Sequence, residues 1–326
     1  MPNSTFMPIL CRLALATALT IPVMTAGPAN GAGVSAQGIT FEANQAYPEG
    51  VAWDSAQQVF FVSSVRNGTI GKVTTAGEYT PFVDDDRLVS SVGLFFDAPR
   101  NLIWSAIGDL GLSERSTPDT VYKLAAVAAF DATTGEPRAY HDLSGLIDGP
   151  HVGNDVTVDL AGNVYVTDSA SPVIYRVDPQ GNASVFARSD LFGGEGLSLN
   201  GIVAHRDGFL LVGKTNSGDI FRVSTKDGQD IHRVDLPEAI QGADGLLLVD
   251  DTHLIVVQAS GADQVVGLTS TDDWQTAAVG EVVKSINSFP TSATLSDDGV
   301  YVLNAQLDTL MNKDAPKVDT YLLQKY

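Results

Sequence analysis

Glu49, Asn154, Asn200 and Asp244 stand at matching places in four stretches of similar sequence, and their types point to one kind of chemistry. Two carboxylates and two carboxamides offer hard oxygen donors, which suit Ca2+ or Mg2+ and serve soft metals poorly. Each residue alone has a plainer reading, since Asn200-Gly201 and Asp244-Gly245 are ordinary turn dipeptides. Their recurrence at one register makes a divalent-cation site the reading to test. His151, three positions before Asn154, is suited to general-base work near neutral pH. A lone histidine at the start of a strand is equally at home as a hydrogen-bonding residue of the framework.

The elements that must carry these residues repeat along the chain. Each copy begins with a short head, continues into an apolar strand, turns at Asp, Gly or Asn, and returns as a second apolar strand before a third. The clearest copy reads Gly153-Asn-Asp-Val-Thr-Val-Asp159, Gly162-Asn-Val-Tyr-Val-Thr-Asp168 and Val173-Ile-Tyr-Arg-Val-Asp178. Aligning the heads at Glu49, Gly93, Asn154, Asn200, Asp244 and Thr291 gives steps of 44, 61, 46, 44 and 47 residues. A period in the mid forties is the length of a propeller blade, so the expected fold is an all-β, six-bladed β-propeller. The long step absorbs an insertion near 110–123, expected to lie as a loop over one face. The strands are almost continuously apolar, as inner strands buried between neighbouring blades should be. The last strand, Val318-Asp-Thr-Tyr-Leu-Leu323, is expected to pair with Gly38-Ile-Thr-Phe41 and remove two free edges. In such a ring the innermost strands line a central channel and would gather the four oxygen-bearing heads around its axis.

The amino terminus and the composition set the context. Arg12 precedes the apolar run 13–24, which is followed by Ala, Gly and Pro residues and by small-residue cleavage sites ending at Ala32 and Ala36. That is the profile of a signal peptide over about 1–36, leaving 37–326 as one propeller domain. The run is too short and too interrupted to span a bilayer. The single cysteine, Cys11, precedes it, so the mature chain would have no disulfide, thiolate nucleophile or thiolate metal site, and no lipid anchor. The expected product is exported, periplasmic or secreted, and monomeric. With 19 Lys and Arg against 39 Asp and Glu, the formal charge is −20, which disfavours nucleic acid and anionic membrane as partners and leaves a small molecule.

At the strand heads the sequence becomes specific. Tyr47-Pro-Glu-Gly-Val-Ala-Trp53, Gly153-Asn-Asp-Val-Thr-Val-Asp-Leu-Ala-Gly162, Leu199-Asn-Gly-Ile202 and Ala243-Asp-Gly245 resemble motifs of the senescence-marker-protein, gluconolactonase and luciferin-regenerating-enzyme family. The resemblance spans about residue 39 to the end. It implies six blades and a divalent metal in the central channel, Ca2+ first, with Mg2+, Zn2+ or Mn2+ as alternatives. It also implies Glu49, Asn200 and Asp244 as direct ligands, with Asn154 as a fourth ligand or a substrate-orienting amide. The activity implied is hydrolysis of a lactone or related ester, the metal polarising the carbonyl, with Asp244 or else His151 as the base. Several sugar-lactonase members have Arg two residues before the position matching Asn154, where this chain has Val152, so a sugar lactone is not the expected substrate. The rival expectation is a non-catalytic exported propeller that binds a small ligand or protein and uses the metal structurally, because this fold hosts many activities and none.

Overall fold

In the computed structural model, which describes residues 33–35 and 37–326, β-branched and aromatic runs separated by Gly, Asp and Asn turns form six hydrogen-bonded sheets. We label the first strand of each repeat in chain order: β1 Val51–Asp54, β2 Ser90–Asp97, β3 His151–Val158, β4 Leu199–His205, β5 Ala243–Asp250 and β6 Pro290–Ser296. Each of the six borders the next, and β6 borders β1, so the set closes into a ring in a propeller arrangement. Between every two neighbouring sheets lies an apolar cluster. Phe61, Ile70, Leu94 and Ile103 join the first sheet to the second, for instance, and Leu211, Ile220, Leu246 and Val256 join the fourth to the fifth. Because both faces of each sheet are covered in this way, the strands read as continuous apolar runs.

The sheets are not alike, which corrects the expectation of a six-bladed propeller: only four have the plain four-stranded form of a blade. Four are plain four-stranded sheets, starting with β1, β2, β4 and β5, and two are five-stranded. The sheet of β3 gains Lys123–Leu124, which pairs in parallel with His151 and Val152. The sheet of β6 is built from both ends of the described chain. Thr320–Lys325 runs antiparallel to Gly38–Glu42, pairing Phe41 with Tyr321, and Gly33–Ser35 pairs beyond it. The expected closure is therefore present, and it takes the edge off both terminal strands.

The described residues belong to one compact unit. The apolar run and Cys11 of the expected signal peptide lie outside the described residues. No helix among the described residues is long and apolar enough to cross a membrane.

The heads of the strands hold the feature that matters for function. In β2 to β6 the ladder to the following strand slips at the same place, between Ser91 and Leu94, Gly153 and Val156, Leu199 and Ile202, Ala243 and Leu246, and Pro290 and Ala293. Two residues in each slip leave the pairing pattern, as bulges allow, and these include Asn154, Asn200 and Asp244. Glycine follows the head in four sheets because the backbones approach too closely for a side chain. A Cβ on Gly201 would lie 2.3 Å from the Asp244 carbonyl oxygen, and one on Gly245 would lie 2.5 Å from that of Thr291.

Candidate metal centre

Glu49, Asn154, Asn200 and Asp244 all line one cavity of about 120 Å3 at the head end of the channel. Each is only 6% or 7% exposed. Their backbones are fixed by hydroxyl groups. Ser63 Oγ accepts from the Glu49 and Gly50 amides at 3.2 and 2.7 Å, and Thr291 Oγ1 donates to the Glu49 carbonyl at 2.7 Å. Thr167 Oγ1 donates to the Asn200 carbonyl at 2.7 Å, and Thr215 Oγ1 does the same for the Ala243 carbonyl at 2.7 Å. Thr167 and Thr215, at or just after the second strand of one sheet, thus set the head of the next, while Ser63 serves its own sheet and Thr291 acts from a first strand.

The side-chain oxygens are not so satisfied. Glu49 Oε2, Asn154 Oδ1 and Asn200 Oδ1 are buried without a hydrogen-bond partner. Buried acceptors are costly to leave unpaired, so three around one cavity indicate something that meets them from within. The Asn200 amide group donates instead to Thr215 Oγ1 at 3.2 Å. That leaves its oxygen to the cavity.

Electrostatics point the same way. Burial pushes the Asp244 carboxyl up to about 8, helped by the Asp155 charge, while the Asn200 amide opposes the rise. Glu49 is also pushed well above the ordinary carboxylate range, first by burial, then by Asp244 and Asp155. A divalent cation would relieve these repulsions and accept all three free oxygens. The oxygen set fits such an ion, with the two amides as neutral donors. Among the described residues no group of three or more His, Cys, Asp and Glu gathers to hold a metal, so the amides are essential to this fit.

His151 is placed elsewhere. Its ring is buried with Nδ1 2.9 Å from Asp168 Oδ2 and 3.1 Å from the Tyr175 hydroxyl, and Nε2 lies 3.1 Å from the Ile147 carbonyl. It does not line the cavity. The reason is strand alternation: Val152 and Asn154 point to the channel, and His151 points the other way. The expectation of His151 as the base is thereby corrected to a framework role, bracing the start of β3. Val152, where an arginine was absent by sequence, does line the cavity. Thr291 holds Glu49 in place, and the head of the second sheet is Val92, one position before the Gly93 taken from the sequence alignment, so that an apolar side chain lines the cavity there.

Asp155 was missed. It occupies the slip position filled by glycine at Gly50, Gly93, Gly201 and Gly245, and its carboxylate accepts from the Ile202 amide at 3.1 Å and the Val156 amide at 2.8 Å. It lines a second cavity farther down the channel, and burial pushes its carboxyl up to about 7. The signal was available as the one charged residue in that column of the repeats.

The insertion forms part of the wall. Leu110 and Leu112 face the cavity, while Asp109 ties the loop internally through the Gly111 amide and the Ser116 and Thr120 hydroxyls at 2.6 to 2.7 Å. Arg115 then clamps it to the first sheet, donating to the Gly68, Asp85 and Leu88 carbonyls and pairing with Asp84.

The ring of sheets around a channel places the chain among propeller proteins. No protein-family model and no curated protein matches the sequence. Solved structures do. The chain is similar to the major allergen Mala s 1 of Malassezia sympodialis, at 15% identity and a TM-score of 0.72, over 90% of this chain and 97% of that one. It is similar to a gluconolactonase from Xanthomonas campestris at 17% identity and a TM-score of 0.60, over 93% and 99%. A luciferin-regenerating enzyme matches at 14% identity and a TM-score of 0.60, over 88% and 97%. At these identities the likeness is one of fold.

Proposed function

We propose that this chain is a six-bladed, divalent-metal-dependent hydrolase of a lactone or related ester, each of the six sheets counting as a blade. The observation that carries the reading is the set of three unpartnered buried oxygens beside Asp244. Glu49, Asn200 and Asp244 would hold the ion, most simply Ca2+, and Asn154 would complete the set or orient the substrate. The ion, when bound, supplies the positive charge that stabilises a developing oxyanion at the scissile carbonyl. Asp244 is the base that takes the proton from the attacking water, since His151 is engaged outside the cavity. Leu110 and Leu112 on the clamped loop narrow the space above and exclude bulk water. Gluconolactonase activity in a protein of like fold supports the reaction class at a distance.

We further place the protein as an exported monomer acting on a small molecule, on the strength of its amino-terminal profile and its charge of −20. The second reading, a ligand-binding propeller with a structural ion, is favoured by one fact: among the described residues no histidine lines the cavity, and its carboxylates are the only bases at hand. The deciding experiment combines metal analysis with turnover of γ-lactones, δ-lactones and aryl esters, before and after chelation and with Ca2+ restored. Chelator-sensitive turnover rescued by Ca2+ is expected. Bound metal with no turnover on any substrate would favour the binding protein, and no metal at all would sink the ligand assignment.

A further inference from the structure

We infer that the cavity above the oxygen cluster takes an aliphatic chain, so that the preferred substrate is an alkyl-substituted lactone or ester rather than a polyhydroxylated sugar lactone. This rests on the hydrolase reading only for the word substrate; the pocket assignment concerns binding. The upper wall is formed by Leu110, Leu112, Leu197, Phe289, Leu307 and Met311, drawn from separate loops and the short helix Leu307–Met311. Below them Val152 adds a further apolar side chain to the lining.

The polar side chains in the same wall are already bonded, apart from that of the exposed Ser260. Asp109 receives the Gly111 amide and the Ser116 and Thr120 hydroxyls. Ser90 Oγ donates to the Val65 carbonyl at 2.9 Å, and Thr215 Oγ1 donates to the Ala243 carbonyl while accepting from Asn200. Among the described residues no lysine, arginine or histidine lines the cavity. A sugar ring would give up its hydration and find few partners for its hydroxyls, because among the described residues only the oxygens at the floor and the Ser260 hydroxyl are free. An alkyl chain gives up nothing of that kind. Met311 is 48% exposed at the rim despite its apolar side chain, as a residue waiting for an apolar ligand would be.

The test uses calcium-loaded protein and lactams, which share the shape of lactones and resist hydrolysis, so that binding is read by calorimetry apart from turnover. A δ-lactam series from methyl to pentyl is expected to bind about fourfold more tightly per added methylene, with gluconolactam showing no binding at the same concentrations. The double variant Leu112→Asn and Met311→Asn should flatten that dependence while its melting temperature and Ca2+ affinity stay near those of the parent. Equal or tighter binding of gluconolactam, or a flat series in the parent protein, overturns the inference. Lactone turnover is measured alongside. Alkyl lactams that bind in the expected series while no lactone or ester is hydrolysed would defeat the hydrolase reading and leave the pocket assignment standing. Hydrolysis that favours gluconolactone would do the reverse.

Discussion

The oxygen cluster separates two kinds of residue by what each loses on substitution. Asp244→Asn keeps shape and an oxygen donor but removes the proton acceptor, so turnover on the best lactone should fall about a hundredfold or more while the protein still melts cooperatively. Unchanged turnover would show that the base lies elsewhere. Glu49→Gln acts differently, because it removes a buried carboxylate that Asp244 and Asp155 oppose. The metal-free variant should be at least as stable as the parent, yet gain little melting temperature on adding Ca2+. A parent-like Ca2+ shift in differential scanning calorimetry would remove Glu49 from the ligand set. These residues were legible in the sequence because they recur at one register, and Asp155 was legible by the same column had it been read for exceptions. His151 was overvalued because its residue type was weighed before its strand parity: one position before Val152, it had to face away from the channel.

At the scale of elements, positioning falls to hydroxyls and to the clamped insertion. Thr215→Val removes a 2.7 Å bond to the Ala243 carbonyl and the partner of the Asn200 amide. A cost of about 1–3 kcal/mol is expected from the acceptor left unpaired, together with weaker Ca2+ binding, both measurable by calorimetry. Thr215→Ser should restore most of each. Arg115→Ala should loosen 110–123 without unfolding the ring. Its pair with Asp84 is largely exposed and worth little, but three backbone carbonyls lose their donor. Limited proteolysis should then cut within that segment in the variant and not in the parent, at nearly equal melting temperatures. Sequence gave the place and length of this insertion through the 61-residue step. It could not give the clamp, because Arg115 meets carbonyls 27 to 47 positions away.

For the whole molecule, the buried acids make metal-free stability fall with rising pH. Asp155 and Asp244 keep their protons to about 7 and about 8 in the folded chain, against ordinary values of 3.8. Between about pH 4 and pH 8 the folded state therefore binds more protons than the unfolded one, and its advantage declines as pH rises through the folded values. Melting temperature measured in chelator should drop across that window, and saturating Ca2+ should remove most of the drop. The slope should also be shallower in Asp244→Asn; an equal slope would assign it to general repulsion in a chain of charge −20.

The sequence by itself determined the strand repeat, the number of repeat heads, the joining of first and last strands, and which heads bear oxygen, because these are set by local alternation, turn chemistry and spacing. Only the tertiary structure decided that Asn154, Asn200 and Glu49 leave oxygens unpaired, that Asp155 enters the channel, and that a loop is clamped over an apolar mouth. Those outcomes depend on which backbones approach each other across the ring, and such contacts join residues that no local pattern links.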